Sequence, residues 1–149
     1  MVDTVRTLAA LQTLLADNTA QDISPQDMRD FLVSVYPQVD DWTDFTLQNS
    51  WAAFGAPYFT PGYRTLTVGS DVLVYTRGVA KSGTFTDATT VATLPSGARP
   101  SSSLNITLNK SGAGDPMAWV IASDGTMKVF NMNDADQLNF DNIPPFWAD

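Results

Sequence analysis

The chain has 149 residues, no cysteine and no histidine, and a formal net charge of −8, because 16 aspartates outnumber eight lysines and arginines. The absence of Cys and His excludes disulfide frameworks, thiolate nucleophiles, Ser-His-Asp hydrolysis and ordinary zinc catalysis, so an enzyme would have to use carboxylates or lysine. An acidic surface repels phosphate backbones and anionic lipid, which argues against nucleic acid and membranes as partners. We expect no cofactor.

The first predicted element is an amphipathic helix over Thr4–Ala16. Its apolar residues recur at helical spacing and form one stripe. The same stretch carries a single cation, Arg6, and polar residues interrupt its apolar run. A signal peptide has a positive start and a continuous apolar block, so we expect no export signal. No apolar run of the chain approaches the roughly 20 residues that a membrane-spanning helix needs.

A second amphipathic helix is predicted over Ser24–Tyr36. Ser24 is a suitable N-cap, Pro25 suits the first helical position, and Asp27 stands where a capping box has its acidic residue. The helix should end before Pro37, because a residue that precedes proline avoids the helical region.

The two helices cannot cover both of their apolar stripes by packing on each other alone. The sequence therefore predicts an attachment or oligomerisation segment over residues 1–37. The alternative is that the stripes pack on the rest of the chain, as most amphipathic faces do. The predicted contact residues are Leu8, Leu11, Leu15, Met28, Phe31, Leu32 and Val35.

The stretch Gln38–Asp44 contains three aspartates and one tryptophan, and it favours a linker or a turn onto a second domain at 38–149. Beyond it, period-two patterns and Gly/Pro turns predict short antiparallel strands. The clearest hairpin turns at Asp124-Gly125, where a tight turn needs positive φ angles. The predicted strands are Phe45–Gln48, Trp51–Phe54, Tyr63–Val68, Val72–Ala80, Val91–Leu94, Leu104–Asn109, Met117–Ala122 and Thr126–Met132, followed by an irregular piece, Leu138–Trp147.

These elements predict a mainly β fold with a short N-terminal α-helical pair. Many short strands at this spacing are typical of an antiparallel β-sandwich or barrel with a jelly-roll-like arrangement.

Two stretches resemble structural proteins of tailed bacteriophages. Residues 15–37 read LADNTAQDISPQDMRDFLVSVYP, which is similar to a segment near the front of tail fibres, minor tail proteins and head-decoration proteins. The order Arg77-Gly78 and then Thr93–Pro100, TLPSGARP, is similar to the small β-domain of phage fibre and receptor-binding proteins. The chain departs from that pattern at Tyr75-Thr76, where an aliphatic residue is more usual.

The resemblance implies a non-enzymatic virion protein, made in the host cytoplasm and assembled as a homotrimer. The short chain, which lacks a long coiled-coil or repeat shaft, favours a capsid decoration or head-fibre protein that contacts the major capsid protein or another virion protein. A tail fibre or minor tail protein that binds the host surface is the alternative. A carbohydrate-binding module or a wall-degrading enzyme is the alternative of another class.

Four aromatic residues, Trp51, Tyr58, Tyr63 and Trp119, could stack on a host-surface glycan, but aromatic residues in alternating strands are more often core. The acidic residues Asp40, Asp41, Asp44, Asp134 and Asp136 could hold Ca²⁺ or act as a glycosidase pair. No calcium-loop spacing is present, so solvated turns are the favoured interpretation. We expect no catalytic and no metal-binding residue.

Two arginines of the resembling segments, Arg77 and Arg99, are expected to form structural ion pairs with aspartates. The aromatic residues Phe146 and Trp147 are expected to pack on a neighbouring surface, either of the same chain or of an adjacent subunit.

Overall fold

The computed structural model describes residues 6–14, 23–81, 83, 86–108, 117–132 and 137–148. Two helices open this part of the chain, α1 at Leu8–Leu14 and α2 at Pro25–Val35. The rest of the predicted first helix lies outside the described residues, apart from Arg6 and Thr7, which precede α1. Neither helix is long and apolar enough to cross a membrane.

The predicted start of α2 is confirmed. The Ser24 hydroxyl oxygen accepts a 3.2 Å hydrogen bond from the Asp27 amide, and the Asp27 carboxylate accepts a 2.9 Å bond from the Ser24 amide. This reciprocal pair satisfies two amides that the helix itself leaves open. The Tyr36 amide donates to the Leu32 carbonyl at 3.1 Å, and the helix ends before Pro37 as expected.

The two helices are joined by polar contacts of Arg6. Its amide donates to the Ser34 hydroxyl at 2.8 Å, and its guanidinium forms a 2.7 Å ion pair with Asp30, which is only 1% exposed. Among the described elements, neither helix makes an extensive contact with a strand.

Twelve strands lie in the described residues. They are β1 Gln38–Val39, β2 Thr43–Asp44, β3 Ala52–Ala53, β4 Gly62–Val68, β5 Asp71–Arg77, β6 Val79–Lys81, β7 Thr89–Thr93, β8 Leu104–Leu108, β9 Met117–Ile121, β10 Thr126–Phe130, β11 Leu138–Asn139 and β12 Phe146–Ala148. Short 3-10 helices occur at Ser96–Ala98 and Phe140–Asn142.

The strands form three antiparallel sheets. The first has the order β1-β4-β5-β12, with β2 also paired to β4; the second has the order β7-β10-β9-β8; the third has the order β11-β6-β3. The second sheet is a Greek key. Strands β8, β9 and β10 are consecutive in the chain and adjacent in the sheet, and β7, which precedes them in the chain, lies beside β10. Among the described strands, no sheet closes into a barrel.

One hydrophobic core is shared by the three sheets. Val74 of the first sheet, Trp119 of the second and Leu138 of the third are all fully buried in it. The register between β7 and β10 shifts between Met127 and Lys128, and this bulge lets the neighbours Val91 and Ala92 both face the core. The predicted mainly β, antiparallel fold with a small N-terminal helical part is therefore confirmed.

Four predicted elements need correction. The expected linker Gln38–Asp44 contains β1 and β2, which are hydrogen-bonded to β4. The expected strand Phe45–Gln48 is absent from the described strands, because the segment crosses from one sheet to another: the Phe45 amide bonds to Pro61 O at 2.9 Å, and the Gln48 amide bonds to Val91 O at 2.9 Å. The division at residue 37 stays a prediction.

The long strand expected over Val72–Ala80 is two strands, β5 and β6, of different sheets. Gly78 between them has φ +93°, and a Cβ built on it would lie 2.5 Å from the Thr60 carbonyl oxygen. Only glycine combines that conformation with such a close approach. The irregular end Leu138–Trp147 also contains two strands, β11 and part of β12.

The predicted hairpin between β9 and β10 is confirmed. The Gly125 amide donates to the Ala122 carbonyl at 2.8 Å, and Gly125 has φ +88°. In this turn it is the glycine, not Asp124, that takes the positive φ.

Candidate functional site

A groove of about 490 Å³ lies where the first sheet meets the turn after β7. One wall comes from the connection between β1 and β2 and from β4, and the other comes from the short 3-10 helix. The lining residues are Asp40, Asp41, Thr43, Tyr63, Arg64, Thr65, Pro95, Gly97 and Ala98.

The sheet wall is fixed by pairing with β4. The Asp40 amide donates to the Thr65 carbonyl at 3.0 Å, and the Thr65 hydroxyl donates to the Asp40 carboxylate. Thr43 is the register partner of Tyr63. A Cβ on Gly62 would lie 2.6 Å from the Thr43 carbonyl oxygen, so glycine at this position allows β2 to approach β4 closely.

The turn wall is held by the hairpin that contains Gly125. The Leu94 amide donates to the Gly125 carbonyl at 2.9 Å, and the Arg99 Nε donates to the Leu94 carbonyl at 3.1 Å. The Ala98 amide donates to the Pro95 carbonyl at 3.0 Å and closes the 3-10 turn. The Thr93–Pro100 motif therefore forms a hydrogen-bonded wall of the groove.

A second hollow of about 370 Å³ continues the groove, because it shares Thr43, Tyr63 and Pro95 with the first. Its other lining residues include Thr93 and Arg99. The combined surface offers hydroxyl, carboxylate and aromatic groups side by side. Such a mixture suits a polyhydroxylated ligand, which presents both hydrogen-bonding groups and apolar ring faces.

Another hollow, of about 570 Å³ between α1 and the β4–β5 turn, offers less chemistry. Its cation Arg6 is already paired with Asp30, and its Thr7 hydroxyl accepts a 3.2 Å bond from the Ala10 amide. We therefore take the groove as the candidate site.

The four predicted glycan contacts separate into two groups. Trp51 and Trp119 are 5% and 0% exposed, so their rings belong to the core, which is the interpretation favoured above for aromatic residues in alternating strands, and they are not available to stack on a sugar. Tyr63 is half-buried against Phe45, with ring centroids 5.5 Å apart, and lines the groove. Tyr58 is 46% exposed and lies outside the groove.

The predicted acidic residues do not form a site with one another in the described chain. Asp40 and Asp41 line the groove and Asp44 the adjoining hollow, but no group of three or more possible metal ligands occurs among the described residues. Asp134 and Asp136 lie outside the described residues.

The predicted attachment stripe on α2 is largely exposed. Met28, Leu32 and Val35 are 49%, 47% and 49% exposed, while Phe31 is half-buried. Leu11 of α1 is buried, and the side chains of Leu8 and Leu15 lie outside the described part of the chain. The described residues thus leave an apolar helix face without a cover, and its role stays a prediction.

The ion pairs expected for Arg77 and Arg99 are not found among the described residues. Arg99 instead bonds to a main-chain carbonyl, as described above. The guanidinium of Arg77 lies over the ring of Trp42 at 4.4 Å from its centroid. Sequence reasoning missed Trp42, which it assigned to a linker; a tryptophan within an otherwise acidic segment was the available signal.

Comparison with known proteins identifies the fold but not the family. No family model matches the chain, and no curated protein matches it in sequence. Its structure is similar to that of the receptor-binding protein of Listeria phage PSA, with a TM-score of 0.62 and 18% sequence identity over 97% of this chain and 88% of that one. At this identity the likeness concerns the fold.

Proposed function

We propose that the chain is a structural protein of a tailed-phage virion and that its β-domain binds a saccharide of the host surface through the groove between β4 and the Thr93–Pro100 turn. The groove carries the proposal, because one of its walls is formed by the turn of the Thr93–Pro100 motif, which resembles phage fibre and receptor-binding proteins. The similarity in fold to a phage receptor-binding protein supports the same assignment.

The two proposed locations on the virion are the capsid and the tail. The similarity in fold favours the tail, and with it binding to the host. The preference for a capsid decoration or head-fibre protein came from the short chain and its lack of a long coiled-coil or repeat shaft, and the fold similarity gives it no further support. The homotrimer likewise stays a proposal, supported by the exposed apolar face of α2.

We infer that binding in the groove is not followed by hydrolysis. A glycosidase needs two carboxyl groups on opposite sides of the bond that it cleaves. The carboxylates of the groove, Asp40 and Asp41, are sequence neighbours on the sheet wall, whereas Pro95, Gly97 and Ala98 form the facing wall. Asp40 is in addition engaged by the Thr65 hydroxyl.

The test is binding of the purified protein to a glycan array and competition with phage particles for host cells. Thr43→Ala removes a hydroxyl from the groove and should weaken binding about tenfold, the upper range for one hydrogen bond. Thr107→Ala is a matched control, since it is also an exposed strand threonine but lies on β8.

Equal binding by the two variants would place the ligand elsewhere. Turnover of a bound polysaccharide would overturn the non-enzymatic assignment. Cryo-electron microscopy of phage particles distinguishes the capsid from the tail location. Density for this protein on the capsid surface, and not on the tail, would favour a decoration protein.

A further inference from the structure

A row of apolar side chains crosses the first sheet on the face turned away from the core. Val39, Leu66, Leu73 and Trp147 are successive register partners on β1, β4, β5 and β12. Their strand neighbours Val74 and Phe146 point to the core, so alternation directs the row outward. Val39 and Trp147, at the two ends of the row, are each 57% exposed.

Two arginines stand beside this row between aromatic rings. The Arg64 guanidinium lies 4.8 Å from the Trp42 ring centroid and 5.6 Å from that of Tyr75. The Arg77 guanidinium lies 4.4 Å from Trp42 and 5.1 Å from Phe59. Rings and cations therefore alternate along the face, and each guanidinium is held in place by stacking.

Neither arginine has an anionic partner within the described chain. The ion pair found there is that of Arg6 with Asp30. The Nε atoms of Arg64 and Arg77 are buried without an acceptor, and no hydrogen bond joins either side chain to a described residue. The chain has twice as many acids as cations, yet among the described residues these two guanidiniums have no carboxylate partner.

The same face also carries an acid at its other end. Outward positions of β5 alternate as Asp71, Leu73, Tyr75 and Arg77, and Asp71 is exposed. Asp71 and Arg77 are six residues apart on one extended strand, about 20 Å, which is too far for an ion pair within the chain. The charges of β5 thus run from negative to positive across an apolar centre.

We propose that this outer face binds a second copy of the chain, related by a two-fold axis that lies close to Leu73 and Tyr75. In that arrangement Asp71 of each copy meets Arg77 of the other, while the apolar rows cover each other. A two-fold contact requires such a self-complementary surface. Aromatic and arginine side chains around an apolar centre are also typical of the cores of protein interfaces.

The proposal concerns the β-domain and does not involve the apolar face of α2, but the outer face shares Arg64 with the wall of the groove. With the homotrimer proposed above, the two-fold contact joins two trimers into six copies, so the total number of copies stays even. The free protein should therefore have a mass in solution that is an even multiple of 16.1 kDa.

The experiment is mass measurement by light scattering and sedimentation on the full chain and on charge variants. Asp71→Arg and Arg77→Asp should each halve the number of copies, because each places like charges together. The double variant should restore the wild-type number, since the pairs are then exchanged. Asp71 and Arg77 of one chain lie about 20 Å apart, so a contact between them within the chain cannot explain a rescue by the double variant.

Two apolar variants give an independent measurement. Trp147→Ser and Val39→Ser change residues that are more than half exposed, so they should leave folding intact and weaken association about tenfold or more. Tyr58→Ser, at an exposed position outside the face, is the control. An odd number of copies in the wild type, unchanged association in both apolar variants, or a double charge variant that stays dissociated would each overturn the proposal.

Discussion

The guanidinium of Arg6 forms a 2.7 Å ion pair with Asp30, the side chain that α2 buries most completely. The helix pair is thus joined by a polar contact, while the apolar face of α2 is exposed. Asp30 also accepts a 2.6 Å hydrogen bond from the Gln26 amide group, so its carboxylate is surrounded by donors. Burial of a charge at this position depends on these partners.

Replacing Arg6 with Met should therefore loosen the helix pair. Removing one partner of a charged hydrogen bond in a buried site costs about 2 kcal/mol, because the remaining carboxylate stays desolvated. Hydrogen exchange at the amides of α2 measures the loss. Arg29→Met is the control, since Arg29 is exposed on the same helix; equal protection in the two variants would contradict a stabilising role for the pair.

Acid should weaken the start of α2. The pKa of Asp27 lies below its usual 3.8, because the Ser24 hydroxyl and then the Ser24 amide donate to its carboxylate. The Asp27 carboxylate thus binds a proton less readily in the folded state than in the unfolded state. The stabilisation is complete above the unfolded pKa and is lost as the pH falls through the lower folded pKa.

The helical circular dichroism signal measured from neutral pH down to about pH 3 tests this linkage. Asp27→Asn should make the helical signal less sensitive to acid. Asp124→Asn is the control: the pKa of Asp124 is also lowered, through the Thr126 amide and hydroxyl, but this carboxylate stabilises a hairpin. If the helical signal of Asp27→Asn were as sensitive to acid as that of the wild type, Asp27 would not be the group that weakens α2 in acid.

Gly78→Ala should destabilise the fold by more than about 2 kcal/mol, because it adds a Cβ in a left-handed conformation and at a crowded position. Gly97→Ala is the matched control, since no atom apart from those of Gly97 and its two chain neighbours lies within 4 Å of its added Cβ. Urea unfolding of both variants gives the comparison. Similar unfolding midpoints would show that the crossing from β5 to β6 tolerates a side chain.

Leu32→Asp should separate copies that associate through α2. Leu32 is 47% exposed in the single chain, so the charge should leave folding unchanged while making burial between helices unfavourable. Arg29→Asp, on the same helix, controls for the added charge. Light scattering should report fewer copies for Leu32→Asp only, and particles should incorporate it poorly; normal incorporation would assign attachment to the β-domain.

Local features were predictable from the sequence. The capping box of Ser24 and Asp27 and the turn at Gly125 each depend on residues within a few positions of one another. The strand pattern likewise identified all four strands of the second sheet, and alternation is clear in Met117–Ile121 and Thr126–Phe130. The mainly β fold followed from these patterns.

Long-range partners were not predictable. Asp30 is buried because of Arg6, 24 residues earlier, and no local pattern indicates that pairing. The walls of the groove, at Asp40–Thr43 and Pro95–Ala98, come from distant parts of the chain.

The order of the first sheet also restricts how the chain is made. Its outermost strand β12 pairs with β5, and Phe146 and Ala148 fill the core beneath it. A ribosome must therefore polymerise as far as residue 148 before that edge can form. Until then the nascent chain exposes the side of β5 that β12 later occupies, and this interval is when a chaperone would be of most use.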